Sequence, residues 1–198
     1  MKGYRVIILL STILLVSCTS TNEAAKEENH SNPPTNSASM VKNSSETNPN
    51  DFAIIVKGKE ISLRELNSQV DLEGLLGKPI AESVQTLQGD GFTGSLLKKI
   101  TYDGLEMELF SPKENENIFW IMTMVISKRN YQTTKGIQIG STLNQITDAY
   151  PGVKIAADGR TDPSNCAYEF VNEEKYNHLL FEVENGVVAQ IKIFHLIP

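Results

Sequence analysis

Gly89-Asp90-Gly91-Phe92-Thr93-Gly94 carries the letters G-x-G-x-x-G of a dinucleotide-binding turn. That motif works only where a strand leads into the N-terminus of a helix, whose free N–H groups hold the pyrophosphate. Here a helical pattern precedes it and strands follow, so the segment reads as a loop. His178 and His195 fall in predicted strands, with Glu182 near the first. Zinc wants three or four ligands at recognisable spacing, which two histidines do not supply. Asp158-Gly159-Arg160-Thr161-Asp162 is acidic and turn-rich but lacks the order of an EF-hand loop, and it reads as a solvated loop. Glu106 and Glu108 share one face of a strand, the arrangement of an acid/base pair and equally of an outward polar face. No serine lies in a nucleophile-elbow pattern. Cys166 has no neighbouring His or basic residue and precedes a strand-like Ala167-Tyr168-Glu169-Phe170, so it reads as a buried structural thiol. The residues therefore predict no metal, no cofactor and no catalytic set.

The N-terminus has the three parts of an export signal. Lys2 and Arg5 supply charge, Val6 to Val16 an apolar stretch, and Ser17 a small residue at the cut. The apolar stretch is about half the length that a membrane span needs. Leu15-Val16-Ser17-Cys18 resembles the lipobox of bacterial lipoproteins. The resemblance implies that residues 1–17 are removed and that the Cys18 sulfur carries diacylglycerol, anchoring the protein to the outer side of the cell membrane. Two acyl chains suffice for stable anchoring where one is marginal. With Cys18 lipidated, Cys166 is the only thiol left and the fold stands without a disulfide.

From Thr19 to Asn50 the chain is rich in Ser, Thr, Asn and Glu, holds Pro33, Pro34 and Pro49, and has no aromatic residue. Such a segment buries too little apolar surface to offset its ordering entropy. Residues 18–50 thus read as a flexible tether, His30 included, and residues 51–198 as the folded domain. The net charge of −6, with no cluster of Lys and Arg, argues against nucleic-acid binding and against a polybasic membrane patch.

Those side chains must be positioned by the following elements. Residues 51–76 read as a hairpin, Phe52 to Lys57 and Glu60-Ile61 about Gly58-Lys59 with Gly first in a type II′ turn, then a short helical pattern at Leu63, Leu66 and Val70. Pro79 suits the first turn of a helix through Ile80, Val84 and Leu87. Strands follow at Lys99 to Asp103, Leu105 to Phe110 and Ile118 to Ile126. Ser141 then caps a helix bearing Leu143, Ile146 and Tyr150, which stops at Pro151-Gly152. Asn165 to Val171, Asn177 to Val183 and Val187 to His195 close the chain as strands, with Glu184-Asn185-Gly186 as a turn.

The order of parts repeats: Gly77 before a helix matches Gly140 before a helix, and Phe119 to Ile126 matches Val187 to Phe194. A helical element followed by an antiparallel meander, occurring twice, resembles the beta-lactamase-inhibitor-protein-like fold. The most specific segment is Gly136 to Tyr150, similar to the glycine-led helix of those units. The resemblance implies an α+β domain of two tandem helix-plus-antiparallel-sheet units, 77–135 and 136–198, preceded by the extra hairpin. Fold likeness transfers no activity.

These readings together predict a membrane-anchored, extracytoplasmic, non-enzymatic module that binds a protein or an envelope polymer. The rivals are an inhibitor of an extracellular hydrolase, suggested by the fold resemblance, and an enzyme working through surface carboxylates. Strict alternation along Phe119 to Val125 puts Trp120, Met122 and Met124 on one face. With Tyr102 from a neighbouring strand these are the candidate contact residues, since aromatics and Met are enriched at interfaces. If the hairpin or the second unit covers that face, the same residues are core.

Overall fold

A computed structural model of the protein describes residues 48–198 except 90, 116 and 117. Cys18, the signal-like segment and the tether up to residue 47 lie outside the described residues. The fold is mostly β, with antiparallel sheets. A three-stranded sheet has the order β2 (Lys59–Ser62), β1 (Ala53–Val56), β7 (Gln132–Thr133). An eight-stranded sheet runs β3 (Ala81–Thr86), β4 (Leu96–Tyr102), β5 (Leu105–Ser111), β6 (Trp120–Ile126), β11 (Val187–His195), β10 (Asn177–Glu184), β9 (Ala167–Asn172), β8 (Lys154–Ile155). Two short helices, α1 (Leu72–Leu76) and α2 (Leu143–Ala149), precede β3 and β8.

The large sheet is two four-stranded meanders joined along β6 and β11, where Ile126, Met124 and Thr123 face Ile191, Ile193 and Phe194. Alternation selects which side chains go inward. Leu105, Met107 and Leu109 of β5 and Leu179, Phe181 and Val183 of β10 share one buried core with Ile54, Val56 and Ile61 of the small sheet and with Phe52 just before it. The small sheet thus covers one face of the large one. The hairpin turn places Lys57 and Gly58 both at positive φ, 49° and 78°. This is the type I′ geometry that matches strand twist, with Gly second instead of first as the type II′ expectation had it.

Several sequence-based expectations are corrected. Residues 79–87 form no helix: they hold β3, exposed at every position from Ala81 to Thr86 and paired with β4. The Ile80, Val84, Leu87 spacing mimics a helical stripe, but no apolar surface lies over it to hold a helix there, and the ladder to β4 decides. Gly77 is the C-cap of α1, φ 82°, instead of leading a helix as Gly140 does. The Leu63–Val70 stretch is extended and turned: Arg64 N donates to Ile121 O at 2.8 Å and Ile121 N to Glu65 O at 3.0 Å, continuing the sheet beside the start of β6. α2 is capped one residue later than expected, by Thr142, which exchanges a capping box with Gln145.

The start of the described chain is fastened to the second half of the domain. Asp51, 2 % exposed, accepts from Asn48 N at 2.9 Å and pairs with Lys135 Nζ at 3.0 Å. Lys135 in turn lies 4.7 Å from the Tyr150 ring centroid. Phe52 stacks on Phe170 with centroids 5.9 Å apart. Tyr150 is wholly buried with its hydroxyl unpaired among the described residues, and burial pushes its pKa up to about 12.

Candidate functional site

A groove of about 520 Å³ opens on the inner side of β3 and β4, at the end of the large sheet that the small sheet leaves free. Its floor is Ile100, Leu109, Val70 and Leu72, all buried, and its rim carries Asp71, Glu73, Glu82 and Lys98. Each wall has a local cause. Asp71 caps α1, accepting from Gly74 N at 2.9 Å. A Cβ at position 74 would run into the Asp71 carboxylate and force it to shift. Glu82 and Lys98 project to the groove side because their register partners in the β3–β4 ladder are Ile100 and Val84. Lys98 Nζ sits 2.8 Å from Glu82 Oε1 and 5.6 Å from the Phe119 ring centroid.

Tyr102 lies in the same groove. It is 5 % exposed, and its hydroxyl has no hydrogen-bond partner among the described residues. Burial, then the charges of Glu82 and Glu73, raise its pKa above the usual phenol value. The groove can therefore offer a neutral phenol oxygen beside two carboxylates. That arrangement accepts hydrogen bonds and favours positive charge.

Above the groove runs the outer edge of β3. Leu87 N donates to Ser95 O at 2.8 Å, and the ladder pairs Gln85 with Leu97, Ser83 with Lys99 and Ala81 with Thr101. Hydrogen-bonding direction alternates along an antiparallel strand. Ala81, Ser83 and Gln85 therefore turn their backbone groups toward β4, and Glu82, Val84 and Thr86 turn theirs outward, where no strand among the described residues pairs with them. Ile80 and Val84 are 70 % and 52 % exposed along this edge. The opposite edge strand, β8, is only two residues long, one of the ways in which an edge is protected from pairing.

The other expected contact residues do not meet here. The β5–β6 register shifts between Glu108 and Leu109: Glu108 faces Thr123 and Leu109 faces Ile121, leaving Met122 as an extra residue. This bulge reverses the alternation. Met124 points into the core, fully buried, Met122 is 8 % exposed, and Trp120 alone faces the other side of the sheet. Trp120, Met122 and Met124 therefore form no common face. Trp120 is half-buried, edge-on to Phe110 at 5.7 Å with Arg64 5.6 Å from its ring centroid, beside a hollow of about 290 Å³.

The remaining chemical candidates are occupied by one another. Glu108 pairs with Lys99 at 2.8 Å, and Glu182 with Arg160 at 2.9 Å, which also holds Asp158. Asp162 accepts from Ser164 N and Asn165 Nδ2, which lower its pKa. The Gly89–Gly94 segment joins β3 to β4, with Thr93 Oγ1 donating to Gly89 O at 2.7 Å; a strand and not a helix follows it. Cys166 is buried at the start of β9. His178 Nδ1 lies 2.8 Å from Glu169 and its ring stacks on Phe194. No group of three potential metal ligands occurs among the described residues.

His195 Nδ1 lies 2.9 Å from Asn177 Oδ1, and burial, then the Arg64 charge, hold its pKa below the ordinary value. The unfolded chain, with a His pKa of about 6.5, takes up this proton first. Stability should thus be insensitive to His195 above about pH 6.5 and fall as pH drops through the window below it. Denaturant midpoints of wild type and His195→Gln between about pH 7.5 and 5.5 measure this; the wild type should lose more than the variant.

Sequence reading placed Tyr102 among the contact residues but missed Glu73, Glu82 and Lys98. A hairpin reading of Ile80 to Thr86, glycine loop, Leu96 to Tyr102 would have placed Glu82 and Lys98 on one sheet. No protein family matches the chain, and comparison with curated proteins and with solved structures finds no significant match.

Proposed function

We propose that the protein is a non-enzymatic binding module, held on the outer side of the cell membrane by lipid on Cys18, which captures an extended polypeptide as an added strand along β3. The observation that carries this reading is the outer edge of β3, where no strand among the described residues pairs with the outward backbone groups of Glu82, Val84 and Thr86. Main-chain hydrogen bonds supply affinity in strand addition, and pockets for alternate side chains supply specificity. The groove lies where such a pocket is needed. The placement of α1 before β3–β6 and of α2 before β8–β11 supports reading the domain as two tandem helix-plus-sheet units of the beta-lactamase-inhibitor-protein-like kind, the first opening at α1, before the expected boundary at residue 77, with the hairpin as an addition.

Site-specific photocross-linking in the producing cell tests the reading. A photoreactive residue at position 84 should give a discrete protein adduct, and one at position 154, on the short opposite edge, should not. Equal labelling at the two edges would contradict it.

A further inference from the structure

The groove deepens the reading given above and rests on it. A strand added outside β3 presents alternate side chains to the two faces of the sheet, so every second one lies on the side of Glu82 and Val84 and borders the groove. We propose that this groove receives the side chain of a lysine or arginine carried by the extended polypeptide that adds to β3. The rim holds three carboxylates, Asp71, Glu73 and Glu82, against one ammonium, Lys98. Asp71 is committed to the helix cap and Lys98 to Glu82, which leaves Glu73 without an ion-pair partner among the described residues. The second sign is Tyr102, a side chain 5 % exposed whose hydroxyl opens to the groove with no partner among the described residues. Its oxygen can accept from an ammonium or guanidinium group, and the same cation meets Glu73 and Glu82. An acidic side chain would instead set a further negative charge beside three carboxylates, and an aliphatic one would give the hydroxyl no partner.

The bulk of such a side chain also fits. Its methylenes would lie along Val70, Leu72, Ile100 and Leu109 while the charged end stays near the open rim.

The test uses the full-length protein and three synthetic peptides, Thr-Val-Thr-Xaa-Thr-Val-Thr with Xaa as lysine, norleucine or glutamate. Binding is read by titration and, in parallel, by protection of the Glu82, Val84 and Thr86 amides from hydrogen exchange. The lysine peptide should bind about tenfold tighter than the norleucine peptide, with glutamate weakest and the preference shrinking as salt rises. Tyr102→Phe and Glu73→Gln should each lower the lysine-to-norleucine ratio about threefold and leave norleucine binding unchanged. Equal affinity for lysine and norleucine, with the three amides protected by both, would overturn the groove assignment and leave strand addition standing. No protection by any peptide would overturn both. Protection that grows with protein concentration in the absence of peptide would give the edge to a second copy of the chain, and would overturn the proposal as well.

Discussion

Met124→Ala is expected to destabilise the domain by about 2–5 kcal/mol, a large part of the roughly 5–15 kcal/mol that holds an ordinary domain together. Met124 is fully buried between β5 and β11, opposite Met107 on one side and Ile193 on the other. Truncation leaves a cavity in close-packed surroundings that cannot collapse onto it. Trp120, four residues earlier, should behave differently. It faces the other side of the sheet and is only partly buried, so Trp120→Ala loses contacts with Phe110 and Arg64 but opens no cavity in the main core, at a cost within about 2 kcal/mol. Urea midpoints of the two variants measure the contrast. A larger loss for Trp120 than for Met124 would mean that the bulge at Met122 is not where the register places it.

The second large effect concerns the anchor. Cys18→Ala should abolish incorporation of labelled fatty acid and leave the protein uncut or free of the membrane fraction. Even a single acyl chain binds a bilayer with only about 10⁴ M⁻¹. Among the described residues no helix is long and apolar enough to cross a membrane, and the acidic net charge does not favour an anionic lipid surface. Fractionation after a high-salt wash decides it. Unchanged fatty-acid labelling, or unchanged retention of a Cys18→Ala protein that has lost residues 1–17, would remove the anchor from the account.

Much of the sheet was legible because burial on one face writes a period of two into the sequence. Leu105, Met107 and Leu109 alternate with Glu106 and Glu108, and β5 lies where that alternation put it. β3 was not legible for the complementary reason. Both of its faces are exposed, so it carries no alternation, and the chance spacing of Ile80, Val84 and Leu87 imitates a helix. Pairing with β4, whose register partners lie ten to twenty residues further along, makes it a strand. The contact face failed for a third reason: one extra residue at Met122 flips every side chain before it to the opposite face, and nothing in Phe119 to Val125 marks the bulge. Tyr102 was expected beside Trp120 on a neighbouring strand, but β5 lies between its strand β4 and β6, and its groove is made by α1 and by the stretch from Asn67 to Glu73, which local pattern does not bring to it.

Hydrogen exchange at the β3 amides of the full-length protein, with and without the lysine peptide, tests strand addition most directly. In the free protein Glu82, Val84 and Thr86 should exchange rapidly and Ser83, Gln85 and Leu87 slowly, because only the latter face β4. With the peptide bound, the alternation should disappear as the outward amides become protected. Uniform protection in the free protein, or an alternation that the peptide leaves unchanged, would contradict the account.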